Sequence, residues 1–360
     1  MKKKSRKKNP FKGKKALVTG HTGFKGAWLS LILLNQGADV YGYSMEPPTD
    51  PNLFDVLKLK KDLKHEIGDI RDFAKLNRSV MKIKPDVVFH LAAQPIVRAS
   101  YKDPLYTYET NVMGTANILE TMRLNNIKTG VIITTDKVYR NLETGVAFKE
   151  DDPLGGHDPY SNSKACADLV VDSYIKSYFQ PDGYKKNHQT LVASARAGNV
   201  IGGGDWAADR LVPDAVRSLL LKKEDLIIRN PQAVRPWQYV LEPLDGYLLL
   251  AERLDSGQTD KIGAYNFAPE ESSMKAVAEV IEIILDHLKF GNYVVQEDAT
   301  KHEAKLLKLD NTKAKTLLGW QSIYDINQSI IETINWYKEY HLGGGDIKKY
   351  SLQQIRNYFI

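Results

Sequence analysis

Apolar residues in this chain fall into short runs bounded by turn signals, alternating with stretches of helical spacing. Lys14-Lys15-Ala16-Leu17-Val18-Thr19-Gly20 reads as a short buried strand entering a turn, and the apolar run Ala27–Leu34 as the helix after it. Ala38–Tyr43 reads as a second strand and His65–Arg71 as a third with a polar exit. Pro85–Gln94 is a buried strand that ends in small residues, and Tyr108–Thr115 opens a long helix in which Asn111 can hydrogen-bond a neighbouring loop. Val131–Tyr139 is a strand that turns abruptly polar, Pro159–Val171 a helix, and Val192–Val200 a further strand. Near-continuous apolar strands are what a parallel sheet covered on both faces requires. Strands alternating with helices through about residue 190 predict an α/β fold with a doubly wound parallel sheet. Beyond that point the alternation loosens. Ile201–Trp206 reads as a loop, Arg235–Val240 as a short strand, and helices dominate to the end. The expected division is a sheet domain over 11–190 with a returning segment near 235–265, and a smaller mixed α/β domain from 191–234 and 266–360.

Composition changes this picture little. The 360 residues are 42% hydrophobic and 26% charged, ordinary for a globular protein. No apolar run approaches the ~18 residues that suggest a membrane span. A single cysteine, Cys166, excludes an intramolecular disulfide framework and fits a reducing compartment, so a cytoplasmic location is expected. Its place in the helix after Pro159 suggests a small buried thiol. No metal-ligand cluster is visible among the eight histidines. The net charge of +6 equals the six cations Lys2, Lys3, Lys4, Arg6, Lys7 and Lys8, so the body is near neutral. Residues 1–10 read as a basic solvated tail, and neither a nucleic-acid nor a membrane partner is expected.

Two stretches carry chemistry. Gly20, Gly23 and Gly26 stand between a strand and a helix, spaced GxxGxxG. A tight turn, a backbone that can approach pyrophosphate and a helix N-terminus make an anion site. The second strand ends in Ser44-Met45-Glu46, with no Arg to pair a ribose phosphate, which favours NAD over NADP. Asp69 either contacts adenine or caps the following helix, and His90 reads as a packed residue. Downstream, Pro159 opens a helix that places Tyr160 and Lys164 on one face. A phenol has an unperturbed pKa of about 10, and a nearby ammonium lowers it. That pair suits deprotonation of an alcohol.

Together the glycine turn, His90-Leu91-Ala92-Ala93, Tyr160 with Lys164, and Asn199-Val200-Ile201-Gly202 resemble the extended short-chain dehydrogenase/reductase family from about Lys14 to Trp336. Gly20–Gly26, Thr134-Thr135-Asp136-Lys137, Gly155–Lys164, Gly203–Trp206 and Arg235–Gln238 resemble its nucleotide-sugar 4,6-dehydratases. Lys137, where many of these have Glu, resembles the CDP-glucose branch. The resemblance implies a Rossmann-type fold, a CDP-glucose substrate, bound NAD and a homodimer, or a dimer of dimers, joined by the helices near Tyr108 and Pro159. It implies catalysis by Thr135, Asp136, Lys137, Tyr160 and Lys164, with Lys137 as base or as electrostatic stabiliser. Cofactor contacts would come from Gly20, Thr22, Gly23, Phe24, Gly26, Ser44, Asp69, Ile70, Leu91, Ala92, Ala93, Tyr160 and Lys164. Substrate contacts would come from Gln94, Asn199, Arg210, Arg235 and His302, with Trp206 able to serve as core packing instead. Two other functions fit the sequence: a dehydratase of another nucleotide sugar (GDP-mannose, dTDP-glucose or a heptose derivative) and a catalytically silent dinucleotide-binding scaffold.

Overall fold

The computed structural model describes residues 9–142, 145–296 and 307–359. The basic tail 1–8 and His302 with Glu303 lie outside the described residues. Seven parallel strands form the central sheet. They are β1 (Lys15–Thr19), β2 (Asp39–Ser44), β3 (Lys64–Ile67), β4 (Val87–His90), β5 (Thr129–Ile133), β6 (Leu191–Ala197) and an edge strand Gly263–Phe267. Their spatial order is edge strand, β6, β5, β4, β1, β2, β3, so the winding reverses between β1 and β4. A ligand crevice forms at the carboxyl ends of the strands at such a reversal.

Side-chain alternation divides each strand between two cores. Ala16, Val18, Val87, Phe89, Val131 and Ile133 join the cluster under the helices Phe24–Asn35 and Leu241–Asp255. Leu17, Val88, Ile132 and Val192 face the opposite cluster, under Phe73–Ile83, Gly114–Leu124 and Pro159–Ser177. Two covered faces explain why the strands read as unbroken apolar runs.

The further strand expected at Val192–Val200 is β6, over Leu191–Ala197, paired with β5 and with the edge strand. The helix expected from Tyr108 is present and starts earlier: Pro104–Tyr108 runs through a π-helical turn, Glu109–Met113, into Gly114–Leu124. The carboxyl-terminal helices Ile326–Lys338 and Ile347–Phe359 have no core of their own, since Ile330, Trp336 and Tyr358 belong to the same cluster as Phe11 and Ala16.

Candidate active site

The turn after β1 is built by close backbone approach. A Cβ on Gly26 would stand 2.0 Å from the Gly20 carbonyl oxygen, and one on Gly20, at φ +74°, would strike the Ala92 amide nitrogen at 2.7 Å. The helix Phe24–Asn35 begins behind Gly23 with neither a side-chain cap nor an acid in its first turn. Its first N–H groups lack a side-chain cap, and Gly23, Phe24 and Gly26 line the cavity, a setting that suits a diphosphate. Thr22 and Ser44 share a hydrogen bond of 2.8 Å at the end of β2. The Asp69 carboxylate accepts from the Arg71 backbone N–H and guanidinium, while Asp72 caps the next helix. His90 is packed: Thr19 bonds its Nδ1 at 2.8 Å, and burial lowers its pKa to about 3.

Asp158 caps the Pro159–Ser177 helix through the Ser161 amide, with Pro159 in the first turn. Asn111, on the π-helical turn, bonds the Gln94 amide at 2.9 Å, the Gln94 carbonyl at 3.1 Å and Ser163 Oγ at 2.9 Å. One buried side chain thus ties the loop after β4 to the helix that carries Tyr160. Lys164 Nζ donates to the Ile133 carbonyl at 2.8 Å, and burial lowers its pKa to about 8. The pairing differs from expectation for Tyr160. Burial pushes the phenol up to about 12, and relief comes from a Thr135 hydrogen bond and from Arg210.

Thr135 also donates to Asp136 Oδ1 at 2.9 Å. Burial raises the pKa of Asp136, opposed by Lys137, the Thr135 bond, Arg235 and Lys25. A Cβ on Gly198 would meet Asp136 Oδ2 at 2.8 Å, so glycine there leaves the carboxylate its space. Arg210 is held by Asp205 at 2.7 Å. The Gln94 amide is engaged within the protein, donating to Thr107 and accepting from the Ile96 N–H. Trp206 packs against Trp336, Tyr337 and Tyr340, the core alternative.

A single cavity of about 1620 Å³ gathers these groups. Its walls include Gly20, Thr22, Gly23, Phe24, Gly26, Ser44, Asp69 and Ile70 at one end and Leu91, Ala92, Ala93 and Gln94 beside them. Thr135, Asp136, Lys137, Tyr160 and Lys164 line the same cavity, as do Asn199, Arg210 and Arg235. Sequence reasoning missed Lys25. It is half-buried in the glycine turn, and desolvation first and then Arg210 lower its pKa to about 8. Its signal was a cation inside a Gly-rich apolar motif.

The family model for GDP-mannose 4,6 dehydratase matches residues 17–333. A CDP-glucose 4,6-dehydratase of Salmonella typhimurium is 45% identical over 357 residues, covering 98% of this chain and 98% of that protein. A dTDP-glucose 4,6-dehydratase from Streptomyces venezuelae, solved with NAD, is 25% identical with a TM-score of 0.76, over 90% of this chain and 97% of that one. A UDP-glucose 4-epimerase of Thermotoga maritima shares the fold, at 20% identity and a TM-score of 0.78, over 91% of this chain and 99% of that one.

Proposed function

This chain belongs to the GDP-mannose 4,6-dehydratase family of nucleotide-sugar dehydratases, and on that premise we propose that it converts CDP-glucose to CDP-4-dehydro-6-deoxyglucose and water, using NAD. The observation that carries dehydration is the buried acid Asp136, hydrogen-bonded to Thr135 in the cavity that also holds Tyr160. Simple oxidation of a sugar alcohol needs the tyrosine but no second acid. The choice of CDP-glucose rests on the 45% identity. The glycine turn and open helix N-terminus fit the NAD diphosphate, and no arginine stands at Ser44-Met45-Glu46 to pair a ribose phosphate.

NAD held by the glycine turn would supply reversible hydride exchange, with no net redox. The protein does the rest. Tyr160 takes the C4 hydroxyl proton while Thr135 holds the C4 oxygen. A C4 ketone makes the C5–H acidic. Asp136 then protonates the departing C6 hydroxyl, which suits a carboxyl whose pKa burial has raised. Lys137 receives the C5 proton or steadies the enolate. Lys164 grips the nicotinamide ribose, and Asn199, Arg210 and Arg235 hold the substrate diphosphate, the last two as guanidinium forks.

The active unit we propose is a homodimer. Leu105 is 75% exposed and Leu169 54% exposed, on the packed segments Pro104–Tyr108 and Pro159–Ser177. Cys166, expected in the core, is half-buried one turn from Leu169 on that outer face. No described helix is long and apolar enough to cross a membrane, and we place the enzyme in a reducing, cytoplasmic setting. Assaying CDP-, dTDP-, UDP- and GDP-sugars side by side for a 4-keto product tests the assignment. CDP-glucose should be turned over well above the others. Preference for GDP-mannose or dTDP-glucose would replace it.

A further inference from the structure

Behind the catalytic segment lies a buried ion pair that the chemistry above does not use. Asp168 and Arg196 are 3% and 4% exposed, and Arg196 Nε reaches Asp168 Oδ2 at 3.0 Å. Thr134, just before Thr135, donates to the same carboxylate oxygen at 2.8 Å. Tyr139, just beyond Lys137 and Val138, accepts from Arg196 Nη1 at 2.7 Å and donates to Asn266 Oδ1 on the edge strand at 2.7 Å. Arg196 also donates to the Glu150 carbonyl at 2.9 Å. Both ends of Thr135-Asp136-Lys137 are therefore tied to one ion pair. Asp168 also stands one helical turn beyond Lys164.

We propose that Asp168 and Arg196 are positioning residues for the dehydration. They clamp both ends of the Thr135–Lys137 segment, and Asp168 sets its charge one helical turn from Lys164. The assignment rests on the proposed function above. A buried ion pair is a poor device for stability alone, because desolvation offsets most of its attraction. Placing an acid within a fraction of an ångström is a use that matches its cost. The charged and titratable groups around Lys164 support the second half. Tyr160 and Asp168 share its helix, His90 comes from β4 and is neutral, and Lys25 comes from the glycine turn. Of these, Asp168 is the charge that raises the Lys164 pKa against burial.

The sign follows. Lys164 holds its proton below about 8 and loses it as pH rises through that value. Without the Asp168 charge the loss comes at lower pH. Three full-length proteins, each checked for folding by circular dichroism, make the test: wild type, Asp168→Asn and Tyr139→Phe, with kcat and KM measured across pH on CDP-glucose. Asp168→Asn should lose at least ~10-fold in kcat with little change in KM, and its alkaline limb should move down by about one pH unit. Tyr139→Phe removes the hydroxyl's bonds to Arg196 and Asn266 and leaves the Asp168–Arg196 pair whole. It should lose roughly 10-fold in kcat with the limb unmoved. A folded Asp168→Asn enzyme with the wild-type limb overturns the charge role, and a full-rate Tyr139→Phe enzyme overturns the clamp. If Asp168→Asn fails to fold, Tyr139→Phe decides. A wild type inert on CDP-glucose refutes the proposed function instead.

Discussion

Tyr160 and Asp136 share a cavity and a common partner in Thr135, yet the reaction asks opposite things of them. The phenol must accept a proton before C4 is oxidised, and the carboxyl must give one up afterwards. Tyr160→Phe keeps the ring and loses the acceptor, so C4 oxidation should nearly stop and little reduced nicotinamide should form. Asp136→Asn keeps the shape and loses the acid. Oxidation should proceed, water loss should slow by ~10²–10⁴-fold, and the 4-keto sugar should build up. Reduced-nicotinamide absorbance in a single turnover separates the two, and equal bursts would show the roles to be misassigned. These residues were legible because each lies in a contiguous motif. Asp168 and Arg196 were not, since their meaning depends on Thr134 and Tyr139 arriving from elsewhere in the chain. Lys25 was in plain view, but only the fold shows that it is half-buried near Asp136 and Lys164.

At the scale of elements, the glycine turn and the strands were readable from local pattern alone. The π-turn inside the helix after Tyr108 was not. A π-helical turn has no periodic signature, and this one is held by the contacts of Asn111 with Gln94 and Ser163. The glycine turn makes a sharp prediction. In Gly26→Ala the new Cβ would stand 2.0 Å from the Gly20 oxygen, backbone that cannot step aside without opening the turn. The variant should lose at least about 1–3 kcal/mol of stability and bind NAD far more weakly. Thermal denaturation and a cofactor titration check this, and wild-type values would contradict it. The helices beside Asn111 make another. Leu105→Glu with Leu169→Glu places charge on the exposed apolar face. It should shift the protein to a monomeric mass in light scattering at micromolar concentration, and an unchanged mass would move the interface elsewhere.

On the scale of the whole molecule, one apolar cluster runs from Phe11 to Tyr358, so the carboxyl-terminal helices and the sheet fold around a shared core. β6 belongs to the sheet, and its exit carries Gly198 and Asn199 into the cavity. We propose that the domain expected over 191–234 and 266–360 supplies the sugar-nucleotide side. One cavity then serves both oxidation at C4 and water loss from C6. The most direct test is mass spectrometry of CDP-glucose labelled with deuterium at C4 after incubation with the protein and NAD. The account predicts a product lighter by one water that keeps the label, now at C6. A product of unchanged mass, or one that has lost water but carries no deuterium at C6, would contradict it.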